Sequence, residues 1–270
     1  MKYPSPPAWA RPLQDHIEWM RAAGRPESSI YQRGYHLRRF AEETGLDPFA
    51  VTMDNLVHYL SGHDWGRSTR HSVRSALRTF YRWACDTGRM PSNPADRLPA
   101  VQPPAGRPRP APEAAVEAGL HADDERVRLM VMLAASAGLR CLEIARVHTD
   151  DLFEDLDGWS LRVLGKGSRR RVVPLTRRLA LALRALPHGY AFPGQVDGHL
   201  SAAYVSKLMS RALPDGVTAH MLRHRFASRA YGAERDIRAV QELLGHSSVA
   251  TTQVYTKVPD GALRAAVDAA

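Results

Sequence analysis

The hydrophobic pattern of the first hundred residues is typical of helices rather than strands. Apolar side chains recur three and four positions apart, and Gly, Ser and Asp residues separate the periodic stretches. The predicted helices cover roughly Pro12–Ala23, Glu27–Thr44, Thr52–Ser61 and residues 67–87. The fourth has the clearest apolar face, formed by Val73, Leu77, Phe80, Tyr81 and Ala84. The segment therefore predicts four helices around one core.

The pattern changes in the second part of the chain, where helices alternate with a short β segment. Further helices are predicted at Glu113–Ala118, Asp124–Ala137 and Arg140–Arg146. Gly158–Leu164 and Arg169–Leu175 flank the turn Gly165-Lys166-Gly167-Ser168, as expected of a β-hairpin. The rest, from Leu175 onward, is predicted to be helical, with breaks at residues 187–198, 214–216 and 245. The fold class is therefore mainly α with a small antiparallel sheet.

A proline-rich stretch separates the two parts. Pro99–Pro112 reads PAVQPPAGRPRPAP and contains six prolines. Neither a helix nor a central strand tolerates that density of proline, so the stretch predicts an extended linker. The expected organisation is a first domain at residues 1–98, the linker at 99–112 and a second domain at 113–270.

The charge balance points to a polyanionic partner. The 270 residues include 37 Lys and Arg against 28 Asp and Glu, a formal net charge of +9, and only Lys2, Lys166, Lys207 and Lys257 are lysines. Arginine makes forked contacts with phosphate, although an Arg-rich proteome would give the same excess. The sequence has two cysteines, no evident signal peptide and no apolar run long enough to cross a bilayer. These features predict a protein of the bacterial cytoplasm or nucleoid without membrane contact.

A stripe of arginines on the fourth predicted helix is the first candidate for nucleic-acid contact. Its members are four residues apart: Arg70, Arg74, Arg78 and Arg82. No acidic residue interrupts the sequence between Asp64 and Asp86. We interpret the stripe as a DNA-binding face rather than as an ordinary solvated face.

Metal and nucleotide sites are not favoured by the sequence. His220 and His224 lie four apart, as in zinc proteases, but Met221 follows His220 where that mechanism needs Glu. The acidic residues between positions 150 and 157 are interpreted as a helix start and a solvated surface. Gly165-Lys166 lies between two predicted strands, which does not fit a P-loop. No metal site is therefore predicted.

What remains is a set of basic side chains and one tyrosine, in the segments GLRCLEI, LGKGSRRRVVPL, HMLRHRFAS and LLGHSSVATTQVYT. Taken singly, each has a structural explanation, such as an ion pair between Arg140 and Glu143. Taken in order, the segments resemble the tyrosine recombinases, or phage integrase family. The resemblance covers essentially the whole chain and implies a four-helix core-binding (SAM-like) domain followed by a mostly helical catalytic domain. Because the first helix starts close to Met1, the compact two-domain type without an arm-binding domain is expected.

The resemblance also implies an active site that needs no cofactor. Its catalytic residues would be Arg140, Lys166, His220, Arg223, His246 and Tyr255, with Glu143 as a supporting acid. Tyrosine would attack a DNA phosphodiester to form a 3′-phosphotyrosine and release a 5′-hydroxyl. The two arginines would neutralise the transition state in place of a metal ion.

The biological role stays open at this stage. The leading hypothesis is integration and excision of a phage or mobile element, by a tetramer assembled on double-stranded recombination sites. Xer-like dimer resolution, a catalytically inactive DNA-binding relative and a topoisomerase of the same mechanism are the alternatives. The tail Gly261–Ala270 is expected either to dock on a neighbouring protomer or to act as a degradation tag.

Overall fold

A computed structural model describes residues 3–102, 109–165 and 170–245 of the chain. The chain divides into two compact units, Met1–Ala105 and Gly106–Ala270. Each unit has its own hydrophobic core. None of the described helices combines the length and apolar character needed to cross a membrane. The exact domain and linker bounds expected from the sequence stay a prediction.

Four helices form the first unit: α1 (Pro7–Ala22), α2 (Glu27–Thr44), α3 (Met53–Ser61) and α4 (Arg67–Asp86). Their apolar faces meet in a core centred on Phe40, Leu77 and Phe80. Local signals set the helix ends. The side chain of Thr52 accepts a hydrogen bond from the amide of Asn55 and begins α3, while Gly45, with φ of 63°, ends α2 in the left-handed conformation.

The predicted start of the first helix near Pro12 is wrong, because α1 begins at Pro7. A proline in the first turn loses no hydrogen bond, since the first amides of a helix have no acceptor within it. Pro12 lies inside the helix with its ring buried. The additional turn places Trp9 in the core, where its indole nitrogen donates to Leu46 O at 2.8 Å. Burial of these side chains outweighs the cost of an interior proline.

The second unit contains the small sheet and most of the helices. The helices are α5 (Glu113–Leu120), α6 (Glu125–Ser136), α7 (Cys141–Ala145), α8 (Arg177–Arg184), α9 (Ala202–Ala212), α10 (Ala219–Glu234) and α11 (Ile237–Leu244). The strands are β1 (Leu152–Asp155), β2 (Gly158–Leu164) and β3 (Arg170–Pro174), with a fourth short strand β4 (Pro193–Val196) outside their sheet. Helix α6 is largely buried in the core and packs against α5, α9 and α10. The predicted mainly α fold with a small antiparallel sheet is confirmed.

The acidic segment interpreted as a helix start instead forms a strand. After a short 3₁₀ turn at Thr149–Asp151, β1 pairs antiparallel with β2, from Leu152 opposite Leu161 to Asp155 opposite Gly158. The sheet order is β1-β2-β3. Asp155 accepts hydrogen bonds from the Ser160 hydroxyl and the Asp157 amide, which stabilises the tight turn between the two strands. With only Leu152 and Phe153 apolar, the strand was too short and too acidic for its pattern to be recognised.

Of three further helix predictions, two agree with the structure and one needs correction. The short helix predicted at Arg140–Arg146 is confirmed as α7, with Arg140 as its N-cap and Arg146 as its C-cap. The predicted break at residues 187–198 contains β4. The continuous helix expected between residues 217 and 244 is divided at Arg235, whose φ of 54° ends α10 in the left-handed conformation, and Asp236 then caps α11. This division matters because it turns the end of α11 toward the residues described next.

Candidate active site

The structure brings together four of the seven residues that the sequence assigned to catalysis. Arg140 and Glu143 lie at the start of α7, and His220 and Arg223 lie on the first turns of α10. Lys166, His246 and Tyr255 fall outside the described residues. The geometry below therefore concerns the phosphate-binding half of the expected site.

Arg140 and Glu143 form a closed pair around the first turn of α7. The amide of Arg140 donates to Glu143 Oε2 at 2.9 Å, and its guanidinium Nη1 donates to Glu143 Oε1 at 2.8 Å. The Glu143 side chain is 1% exposed, whereas that of Arg140 is 34% exposed. The carboxylate thus holds Arg140 from the protein side and leaves part of the guanidinium accessible.

Arg223 is buried at the junction of three segments. Its side chain is 1% exposed. Nη1 donates to Gly138 O, which precedes α7, and Nη2 donates to Leu244 O at the end of α11 at 2.6 Å. Nη1 also lies 3.6 Å from Glu143 Oε2. Arg223 therefore ties α10 to α11 and to the segment that carries Arg140.

Sequence reasoning missed a third arginine in this cluster, Arg171 on β3. Its Nη1 and Nη2 each donate to one oxygen of Glu143, both at 2.9 Å, and its Nε donates to Leu243 O at 2.8 Å. The alternation of the strand carries part of the signal: Arg171 and Val173 are two apart and share one face, and the structure shows that this face is the buried one. An arginine on the inward face of a hairpin needs a buried acceptor, and no role was assigned to Arg171 from the sequence.

The electrostatics of the cluster leave a surplus of positive charge. Burial raises the pKa of Glu143, but the hydrogen bonds and charge of Arg171, the amide of Arg140 and the charge of Arg223 outweigh burial and lower the pKa to about 2. Glu143 is therefore an anion at neutral pH. One carboxylate faces three guanidinium groups, so the cluster carries net positive charge and suits an anionic ligand such as a phosphodiester.

His220 occupies the same region, where its surroundings disfavour the protonated ring. Burial lowers its pKa, and the charges of Arg223 and Arg140 lower it further. Its ring lies edge-on to that of His224, with centroids 4.3 Å apart. The pKa of His224 falls to about 4 through burial and the neighbouring His220 and Arg223. Within the described part of the chain, no cluster of three or more His, Cys, Asp or Glu could hold a metal ion.

The arginine stripe on α4 is less uniform than the sequence indicated. Arg70 donates to Leu60 O and His63 O, and Arg74 donates to Leu98 O at 2.7 Å. These carbonyl contacts hold the two guanidinium groups against the first unit.

The other half of the stripe faces an acid from a later loop. Arg82 and Arg78 lie 3.2 and 3.9 Å from Asp96, an acid that the charge pattern of α4 itself does not contain. Arg74, Arg78 and Arg82 nevertheless line one surface groove together with Arg25. DNA contact by the stripe stays a prediction.

Comparison with known proteins decides the family. The sequence profile described as the phage integrase family matches residues 113–261. The tyrosine recombinase XerC of Xanthomonas axonopodis pv. citri (strain 306) is 37% identical over 227 residues, which cover 77% of this chain and 74% of that relative. The chain belongs to the phage integrase family. It is a tyrosine-type site-specific recombinase, as the sequence motifs indicated.

Solved structures support the fold of this recombinase. A λ integrase dimer bound to a COC′ core site superposes with a TM-score of 0.73 at 18% identity, covering 91% of this chain and 76% of that one. The XerH recombinase bound to palindromic difH substrate gives a TM-score of 0.70 at 21% identity, covering 88% of this chain and 79% of that one. At these identities the likeness concerns the fold alone.

Proposed function

We propose that this recombinase cuts and rejoins double-stranded DNA at specific sites through a 3′-phosphotyrosine on Tyr255. The observation that carries the proposal is the convergence of Arg140 and Arg223 around the buried anion Glu143, with surplus positive charge fixed in place. A phosphodiester that becomes pentacoordinate gains charge, and preorganised guanidinium groups stabilise that charge without reorganising.

Each expected residue has a chemical role in this proposal. The Tyr255 oxygen attacks phosphorus, and the bond to the 5′-oxygen breaks. His220 accepts the phenolic proton, and its lowered pKa favours the unprotonated ring that this step needs. Lys166 protonates the departing 5′-oxygen, and His246 donates a hydrogen bond to a phosphoryl oxygen. Attack by the 5′-hydroxyl of a partner strand reverses these steps and reseals the DNA, so neither a cofactor nor a metal ion is assigned.

The partners follow from the same chemistry. We propose that the protein binds double-stranded recombination sites and exchanges strands as a tetramer on DNA. The related structures with bound core-site or difH DNA support a duplex partner. The net charge of +9 supports it as well.

Two biological roles fit this chemistry. The similarity to proteins named XerC supports resolution of chromosome or plasmid dimers. Integration and excision of a phage or mobile element uses the same strand exchange and is the second candidate. Deleting the gene separates the two roles. If the protein resolves dimers, dimeric chromosomes or plasmids should accumulate. If it integrates and excises an element, the excised circular DNA of the element should disappear while the chromosomes remain monomeric.

The nucleophile is tested with a nicked suicide substrate, on which a covalent adduct accumulates. Tyr255→Phe should form no adduct and keep its DNA affinity, because the hydroxyl serves only the covalent step and binding depends on many phosphate contacts. The matched control is Tyr204→Phe, which alters an exposed tyrosine of the same unit and should react as the wild type does. Adduct formation by Tyr255→Phe, or no adduct with the wild type, would contradict the proposal.

A further inference from the structure

The hydrogen bonds of Arg171 give it a place in the reaction that its position in the sequence did not reveal. We propose that Arg171 is a positioning residue for DNA cleavage: it clamps Glu143 to the carboxyl end of α11 and so fixes Arg140 and Arg223 for the scissile phosphate. This inference rests on the proposed function, and it assigns to Arg171 no contact with DNA.

One arm of the clamp reaches Arg140 through Glu143. Both terminal nitrogens of Arg171 bind the carboxylate, one to each oxygen, at 2.9 Å. The same two oxygens receive the guanidinium and the amide of Arg140. The planar guanidinium of Arg171 therefore sets the orientation of the Glu143 carboxylate. That orientation in turn determines where Arg140 lies.

The other arm reaches Arg223 through the end of α11. No amide of the helix donates to its last carbonyls, and these carbonyls lie at the negative end of the helix dipole. Here Arg171 Nε donates to Leu243 O at 2.8 Å, while Leu244 O receives Arg223 at 2.6 Å and Arg140 at 3.3 Å. Three guanidinium groups thus share two adjacent carbonyls, and in sequence His246 follows two residues later.

Gly245 makes the second arm possible. It ends α11 with φ of 63°, and a Cβ at this position would lie 3.1 Å from Arg171 Cδ and 3.2 Å from Nη1. A side chain here would push against Arg171 as well as strain the backbone. The close approach of Arg171 to the helix end therefore depends on glycine.

The hydrogen bonds of Arg171 favour positioning over phosphate binding; burial alone does not separate the two roles, because the side chain of Arg223 is 1% exposed. The side chain of Arg171 is 10% exposed, compared with 34% for Arg140. Each of the three guanidinium nitrogens of Arg171 donates to an acceptor of the protein. The neighbouring Arg170 on the same strand is exposed, which provides a matched control of equal charge.

The test measures single-turnover adduct formation on a suicide substrate at saturating DNA, together with DNA affinity and the thermal midpoint. For Arg171→Gln we expect cleavage about 10²-fold slower, the scale of a small misplacement of reacting groups, with unchanged DNA affinity. Arg171→Lys should be intermediate, because lysine restores charge but not the fork. Arg170→Gln should cleave within about 3-fold of the wild type at saturating DNA.

A double-mutant cycle with Glu143→Gln gives a readout that a general loss of stability would not change. If both residues act on Arg140 as one unit, the double variant should cleave no more slowly than Glu143→Gln alone. Additive losses, or wild-type rates in folded Arg171→Gln, would overturn the inference. If Arg171→Gln does not fold, the cleavage rate of Arg171→Lys tests the inference instead. A wild-type cleavage rate in Arg171→Lys would reject positioning by the guanidinium fork. An adduct in the wild type shows that the proposed function holds whichever result Arg171 gives.

Discussion

At the scale of single residues, Glu143 is the anion around which the basic site is organised. Its side chain is 1% exposed, and it binds Arg140 and Arg171 directly while Arg223 lies 3.6 Å away. Three like charges in one place repel, and a buried carboxylate between them offsets this repulsion at short range. The cost of burying Glu143 is in turn offset by its cations, as its pKa of about 2 shows.

That lowered pKa predicts how Glu143 contributes to stability. The carboxyl titrates near 4.5 when unperturbed and near 2 in the fold, so its contribution is complete above pH 4.5 and is lost as the pH falls toward 2. Glu143→Gln leaves Arg171 and Arg223 without their counterion and should lower the free energy of unfolding by about 3–5 kcal/mol at pH 7. Denaturant unfolding at a series of pH values should show the difference from the wild type shrinking below pH 4.5.

Glu154→Gln is the matched control for this measurement. Glu154 lies on the exposed part of β1, and its substitution should change the free energy of unfolding little at any pH. A difference between Glu143→Gln and wild type that stays constant from pH 7 to pH 2.5 would mean that the carboxylate is not the group responsible.

Sequence patterns anticipated some of these contacts and missed others for a physical reason. Arg140 and Glu143 are three residues apart at a helix start, so their pairing follows from local geometry. The fork of Arg171 onto Glu143 joins residues 28 apart, and Asp96 reaches Arg82 from 14 residues away. Such pairings depend on how elements pack, which a one-dimensional pattern of charge does not contain.

At the scale of elements, the site depends on how the start of α7, the first turns of α10 and the end of α11 meet. Gly138, just before α7, has φ of 65°, and its carbonyl accepts a hydrogen bond from Arg223 on α10. A Cβ on Gly138 would lie 2.4 Å from the ring of Phe226, also on α10. The absence of a side chain at Gly138 therefore sets the distance between the segment carrying Arg140 and the helix carrying Arg223.

Gly138→Ala should separate these two elements. The left-handed backbone costs about 1–2 kcal/mol for a residue other than glycine, and the clash with Phe226 must displace α10 or the ring. We expect suicide-substrate cleavage to fall by about 10²-fold and the thermal midpoint to drop. Gly216→Ala supplies the control, because Gly216 has φ of 78° but no atom within 4 Å of the added Cβ. It should lose stability and keep its cleavage rate, so equal cleavage by both variants would argue against this spacing role.

Elements with strong local signals were predictable, and elements held by pairing were not. Glycine ended α2 and α11 where the sequence indicated, at Gly45 and Gly245. Strand β1 has four residues, of which two are acidic, and is stabilised by its hydrogen bonds to β2. A strand of this kind gains its stability from its neighbour, so its own pattern carries little information.

At the scale of the whole molecule, the excess of arginine divides into internal and external roles. Of the 37 basic residues only four are lysines. Some arginines serve the protein itself, as Arg171 does in the second unit and Arg70 and Arg74 do in the first. The count of 37 Lys and Arg residues therefore overstates the number of side chains that DNA could contact.

This division predicts different outcomes for the two halves of the α4 stripe. The side chains of Arg78 and Arg82 are 40% and 58% exposed. The double variant Arg78→Gln/Arg82→Gln should therefore lower the magnitude of the slope of log affinity for DNA against log salt by about 2, with little change in the thermal midpoint. Arg70→Gln with Arg74→Gln removes bonds to carbonyls and should mainly lower the thermal midpoint. Titrations of DNA affinity against salt, paired with thermal unfolding, measure both effects. An unchanged slope in the first pair would assign Arg78 and Arg82 to their contacts with Asp96 rather than to phosphate.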